Sequence, residues 1–243
     1  GNGGAPPIDA FVVPVGGGGL VAGICVAVKA LAPSVRVIGV EPENLPSMSD
    51  ALAAGAPVAS VLRAPTLADG LAVSTVGTNA YKVCERMLDE CTTVAERYIA
   101  LAVLRLVEEE KAIVEGAGAA GVAALLTPGF VDRHELRNKT VVVPLCGGNI
   151  DTQVLATVLE RGLATDNRLV RVEVAISDRP GGLAQFTNIV AACGASIKDL
   201  QHERALVARA ETVRAQRRAI DGVHERSGWR GRWRRRRRRR RRR

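Results

Sequence analysis

An α/β fold, a mostly parallel sheet with helices on both faces, is what this sequence predicts, and three observations predict it. Apolar, β-branched runs alternate with helix-like segments through the first 165 residues, the pattern of βαβ units. Those runs are mostly apolar and without alternation, as strands buried on both faces are. Composition agrees, because 47% of residues are hydrophobic but only 3% aromatic, which suits small-residue helices on a sheet better than an aromatic-rich all-β fold.

The elements follow in order. Residues 8–15 read as a buried strand, ended by four consecutive glycines. Residues 20–32 read as a helix and 35–40 as a second buried strand. A short helix is expected over 49–54 with Gly55 as its stop, and a longer one over 79–88. Residues 96–111 have acidic residues early and Lys111 late, as the helix dipole favours. Residues 117–126 are rich in Ala and Gly and can pack closely. Residues 140–145 are the next expected strand and 152–163 the next helix.

The pattern then changes, and a boundary is expected near residues 164–168. Residues 169–176 alternate apolar and polar side chains as a half-buried strand does. Asp178-Arg179-Pro180-Gly181-Gly182 reads as a turn into a helix over 183–193, and 195–201 as a second strand, together the β-α-β opening of a small α+β module. From about Ala208 the apolar periodicity fades into a low-complexity basic tail that ends in ten consecutive arginines; these repel one another and are expected to be disordered. The organisation is therefore 1–164, 165–207 and 208–243.

The net charge of +9 belongs to the tail. Residues 204–243 hold 18 arginines against three acidic residues, a balance of +15, so residues 1–203 carry −6. Nucleic-acid binding by the tail, with Trp229 and Trp233 for stacking, is one alternative function, but no recognisable nucleic-acid-binding fold stands behind it. Five dispersed cysteines without C-x-x-C spacing argue against a disulfide scaffold or zinc site and for a reducing, cytoplasmic setting, with a plastid or other organelle left open. No apolar run reaches the roughly 18 residues needed to span a bilayer. A chain that begins Gly1-Asn2-Gly3-Gly4, without Met or an apolar leader, is expected to be a fragment.

Gly16, Gly17, Gly18 and Gly19 lie between a strand and a helix. Without Cβ atoms, such a turn can bring several N–H groups onto one point, and the helix start adds its unpaired N–H groups and positive dipole end. Together they make a phosphate cradle. A purely structural turn is the plain alternative. Gly17-x-Gly19-x-x-Ala22 also fits the dinucleotide fingerprint, with Glu41 near the place of a ribose-binding acid, so an NAD(P)-binding dehydrogenase domain is a rival. A second constellation favours another reading. Cys146-Gly147-Gly148-Asn149 follows another strand, and in a parallel sheet both loops should open on the same edge. Glu115 lies just before the small-residue helix, where it could equally serve as a cap.

Taken together, VVPVGGGGL at 12–20, VIGVEPEN at 37–44, TLADGLAV at 66–73, IVEGAGAAG at 113–121 and PLCGGNID at 144–151 closely resemble the fold-type-II pyridoxal-phosphate enzymes, in their threonine/serine dehydratase and serine racemase branch. The resemblance implies a large domain like that of the tryptophan synthase β subunit, with pyridoxal 5′-phosphate as cofactor. Gly16, Gly17, Gly18 and Gly19 would hold its phosphate, Cys146 would sit beside the pyridine nitrogen, and Glu115 would orient the ring. A thiol beside that nitrogen leaves it largely unprotonated, which favours β-elimination over transamination. Glu41 matches a divalent-cation ligand of serine racemase-like members, but the second carboxylate expected six residues on is Ser47 here, which leaves a metal in doubt.

The lysine that carries the cofactor in this family, in a Ser-x-Lys-x-Arg-Gly-like motif, is absent. Lys29, Lys82, Lys111, Lys139 and Lys198 lie within helices or outside its position, so no catalytic residue is assigned on this chain. The expectation is a fragment without its N-terminal part. Its full-length relative would eliminate water from L-threonine or L-serine, giving a 2-oxo acid and ammonia, and would be a homo-oligomer. Residues 168–203 resemble the first half of an ACT module, with residues 178–182 as its ligand loop. That implies control by an amino acid such as isoleucine. His134, His202 and His224 share no motif and have no assigned role.

Overall fold

The structure, a computed structural model, describes residues 7–177 and 179–202, and the chain divides between Val170 and Arg171 into two compact units. The basic tail and Asp178 lie outside the described residues. In the first unit, strands β1 (Ala10–Pro14), β2 (Arg36–Pro42), β3 (Glu90–Val94) and β4 (Val141–Val142) form one sheet in the order β3-β2-β1-β4. Every pairing is parallel. Register runs from Ala10 opposite Arg36 to Pro14 opposite Val40.

Alternate strand residues enter opposite cores, as the two-residue pleat requires. Val12, Ile38 and Val40 pack under α4 (Glu96–Arg105) and α5 (Gly116–Leu126). Val13, Val15 and Val37 pack against α1 (Gly19–Leu31), α2 (Ser47–Ala54) and α3 (Thr78–Met87). Because β1 and β2 are buried on both sides, they are apolar apart from Arg36 at the start of β2 and Glu41 near its end. The short α6 (Phe130–Arg133) follows α5, and α7 (Thr152–Thr165) lies on α4. Asp151 starts α7 by accepting hydrogen bonds from the Gln153 and Val154 amides at 2.7 and 3.2 Å, the work of an N-cap aspartate.

Three parts of the unit differ from the sequence reading. The strand expected over 140–145 pairs only at Val141 and Val142, since Pro144 has no N–H to offer and the chain has a neighbour on one side only. Strand β3, with its polar Cys91, Thr92 and Thr93, was not anticipated. It exists because β2 needs a partner on its far side, and as an edge it stays half-exposed. The helix over 96–111 is helical to Arg105 and then widens into a π turn, Leu106–Glu110. It stops at Lys111 in the left-handed region (φ 56°).

His134 is buried at the opposite end of the sheet from the strand C-termini. It stacks on Phe130 at 4.2 Å and sets Nδ1 2.9 Å from Glu90. Among the described residues, no helix is long and apolar enough to cross a membrane.

In the second unit, α8 (Gly182–Ala192) begins at Gly181 in the left-handed region, close to where the sequence places a turn and helix. The strands expected over 169–176 and 195–201 are not formed among the described residues. Val170 and Val172 are exposed: an alternating pattern makes a strand only where a neighbour completes the backbone ladder.

The α4–α7 contact rests on Gly162, where a Cβ would lie 2.7 Å from the Ala100 carbonyl oxygen and 2.8 Å from the Leu104 Cβ. Overpacking of a close helix crossing costs about 2 kcal/mol. Gly162→Val is therefore expected to lower the denaturant midpoint of the first unit, while Gly23→Ala, at an exposed position of α1 with nothing near its Cβ, does not lower it; equilibrium unfolding by circular dichroism checks this.

Candidate active site

The parallel adjacency of β1 and β4 carries the glycine turn and the Cys146 loop to the same sheet edge. They meet in a cleft of about 250 Å³ lined by Gly16, Gly17, Gly18, Gly19, Gly70, Leu71, Glu115, Gly118, Cys146 and Gly147, among others. This is the convergence that the resemblance requires.

The cradle is set by backbone geometry. Gly18 is the N-cap of α1 with φ 87° and ψ −5°, a left-handed conformation that L side chains adopt only with strain. A Cβ there would also come within 2.8 Å of the Met48 Cε. No side chain caps α1 and no acidic residue lies in its first turn, so the amides at its start have no intrahelical acceptor. Amides of this kind, with the positive dipole end behind them, suit a phosphate. The turn is pinned from outside, because the Gly77 amide donates to the Gly17 carbonyl at 3.0 Å.

The opposite wall is α5. Its face Gly116-Ala117-Gly118-Ala119-Ala120-Gly121 is wholly buried. Any Cβ at Gly118 would overlap the Cys146 carbonyl, and one at Gly121 would lie 2.9 Å from the Val12 carbonyl oxygen. Small residues thus let the helix lie directly on the backbone of the strand-end loop. Glu115 is the N-cap of α5 by position, yet its side chain makes no cap hydrogen bond. Its amide donates to the Gly147 carbonyl at 3.1 Å, and its carboxylate lies over Gly147 in the cleft. The simple capping role is therefore not the one it takes. Cys146 is exposed on the cleft wall.

Glu41 does not line the cleft. It is 1% exposed and turned under α2, away from the cleft where a ribose-binding acid would stand. The Met48 amide donates to Oε1 at 2.6 Å; the Ser49 amide and hydroxyl donate to Oε2 at 2.9 and 2.7 Å, and the Cys91 thiol at 3.4 Å. Burial pushes its carboxyl above the usual range, and the Ser49 and Met48 hydrogen bonds pull it back. Among the described residues, no group of three His, Cys, Asp or Glu side chains could hold a metal.

The sequence gives Glu96 no role beyond that of an acidic residue early in its helix. Its Oε2 accepts from the Leu67 amide at 2.7 Å and its Oε1 from Asn44 at 3.3 Å, holding the segment that brings Gly70 and Leu71 to the cleft. Its signal was only its place in the first turn of α4, which is shared by ordinary helix-dipole carboxylates. No lysine lines the cleft among the described residues. Lys29 pairs with Asp89 at 2.7 Å and Lys139 with Asp9 at 3.1 Å.

The cysteines divide by environment. Burial pushes the Cys25 thiol to about 11 and the Cys84 thiol to about 12, which keeps both protonated and unreactive at neutral pH. Cys146 and Cys193 are exposed. Brief treatment with iodoacetamide at pH 8 is expected to modify Cys146 and Cys193 and to spare Cys25 and Cys84, as peptide mass mapping checks.

Comparison with known proteins follows the same lines. Residues 2–147 match the family model described as pyridoxal-phosphate dependent enzyme. The chain is 41% identical over 199 residues to L-threonine ammonia-lyase of Thermotoga maritima, which is 82% of this chain and 48% of the relative. Threonine deaminase isoform 2 from Solanum lycopersicum is 34% identical with a TM-score of 0.59, over 65% of this chain and 45% of that one. Serine racemase from Dictyostelium discoideum is 33% identical with a TM-score of 0.55, over 60% of this chain and 46% of that one. The chain spans about half the length of the curated relatives it matches. The family match takes in more than half of the chain and ends inside the loop that closes the cleft, and with the cleft built as it is, this chain belongs to the pyridoxal-phosphate-dependent enzymes.

Proposed function

We propose that residues 1–164 form part of the catalytic domain of a threonine/serine dehydratase, which eliminates water from the β-carbon of L-threonine or L-serine and leaves a 2-oxo acid and ammonia. One observation carries the reading: the glycine turn and Cys146 face one cleft across adjacent parallel strands. The names of the relatives, L-threonine ammonia-lyase and threonine deaminase, supply the substrate class.

The cleft fits pyridoxal phosphate by the chemistry of its donors. Amides at an uncapped helix start suit the phosphate dianion. When bound, the cofactor supplies a sink for the electrons released at the substrate α-carbon. Gly16, Gly17, Gly18 and Gly19 would anchor its phosphate through backbone N–H groups. Cys146 would stand beside the ring nitrogen, where a thiol, unlike a carboxylate, does not keep that nitrogen protonated. This weakens the sink and favours loss of the β-hydroxyl over transamination. Glu115 would orient the ring from the start of α5. The reaction also needs a lysine to hold the cofactor and move the α-proton. No lysine lines the cleft among the described residues, and in this proposal that lysine belongs to the N-terminal part of the full-length relative.

Residues 165–207 are proposed as part of an ACT module that binds an amino-acid effector; its support is the left-handed Gly181 at the start of α8 and the sequence resemblance. Homo-oligomeric assembly and a cytoplasmic location belong to the same proposal.

Binding tests the cofactor reading, and a fusion tests the reaction. By calorimetry the chain is expected to bind pyridoxal phosphate and not NAD, and the bound cofactor to protect Cys146, but not Cys193, from alkylation. Fused behind the lysine-bearing segment of the Thermotoga maritima relative, it is expected to release 2-oxobutanoate from L-threonine. Binding of NAD in place of pyridoxal phosphate would sink the first reading, and an inert but folded, cofactor-loaded fusion the second.

A further inference from the structure

Glu41 lies outside the cleft, yet two chains of contact run from it to the glycine turn. Its carboxylate takes the first amides of α2, at Met48 and Ser49, together with the Ser49 hydroxyl. That fixes Met48, which is fully buried with its Cε directly beneath Gly18. Ser47, at the position of the missing second carboxylate, donates its hydroxyl to the Val73 carbonyl. Val73 in turn is the side chain nearest Gly17, 3.9 Å from where a Cβ would stand. Both links converge on the glycine turn, at Gly17 and at the left-handed Gly18 that starts the uncapped α1.

We propose that Glu41 and Ser47 form a metal-free clip that positions the phosphate turn: the carboxylate caps α2, the hydroxyl ties α2 to the segment after Leu71, and Met48 and Val73 pass that constraint to Gly18 and Gly17. The proposal rests on the reading of the turn as the cofactor's phosphate cradle. The chemistry of the donor set supports it, because both carboxylate oxygens already accept strong hydrogen bonds from α2 and a serine stands where a cation would need a second carboxylate. A buried carboxylate with donors on both oxygens is a rigid support, since release of either would strand a charge away from water.

The test compares the full chain with Glu41→Gln and Ser49→Ala, each titrated by calorimetry with pyridoxal phosphate and with pyridoxal, in EDTA and in magnesium. Glu41→Gln keeps the volume but turns an amide N–H₂ toward donors, and is expected to weaken pyridoxal phosphate binding about tenfold, the scale of one hydrogen bond to a charged group. Pyridoxal, which lacks the phosphate, should bind both proteins alike, and magnesium should change neither. Ser49→Ala, which removes only the hydroxyl, should show a smaller loss of the same phosphate-selective kind, and it carries the test if Glu41→Gln does not fold. Equal phosphate affinity in wild type and variants overturns the proposal, as does equal weakening toward both ligands, the mark of a general structural loss. A magnesium-dependent gain in the wild type that Glu41→Gln abolishes also overturns it and makes Glu41 a metal ligand. Wild-type protein that binds neither ligand overturns the cofactor reading itself.

Discussion

The closeness of α5 to the backbone of the strand-end loop is the constraint on which the site depends. At Gly118 the helix touches the Cys146 carbonyl with no room for a single methyl group, and at Gly121 it reaches the Val12 carbonyl. A helix that lay further out would take Glu115 away from Gly147 and open the cleft to water. The face is glycine and alanine because backbone, not side chain, is what it packs against. Its buried character therefore serves placement as much as hydrophobic stabilisation.

From that contact the remaining parts follow in layers. The parallel pairing of β1 with β4 decides which loops meet, and the C-terminal strand edge is where an open α/β sheet offers a crevice. Behind the cleft stand two buried or half-buried carboxylates that do not enter it. Glu96 holds the 66–71 segment through the Leu67 amide, and Glu41 holds α2. Each accepts backbone N–H groups that would otherwise lack partners, so each repays its desolvation locally while fixing a loop that lines the site.

Much of this was legible in the chain itself, and the exceptions are informative. The apolar runs at β1 and β2 marked a sheet buried on both faces, and the four glycines marked a turn for an anion. Strand β3 was not legible: Cys91, Thr92 and Thr93 carry no strong signal, and only the need of β2 for a second neighbour makes them a strand. The alternating valines of 169–176 erred the other way, since alternation expresses a preference for a half-buried strand without providing its partner. The roles of Glu41, which looked like a cation or ribose ligand, and of Glu96, an ordinary helix-dipole carboxylate in sequence, were hidden because the donors they satisfy are largely backbone amides, which no residue identity reveals.

The chain alone determined what local chemistry can encode: the alternation of elements, the glycine turn at a helix start, the small-residue helix, the absence of a cofactor lysine in the family's motif, and the confinement of positive charge to the tail. Each depends on neighbouring residues or on plain composition. The tertiary structure alone decided what depends on distance: that Gly18 and Cys146 share one cleft, that Glu115 leans over Gly147 instead of capping α5, and that Glu41 turns inward to α2. Strand order and helix approach set those distances, and they arise from burial summed over the whole sheet, which no single segment of sequence carries.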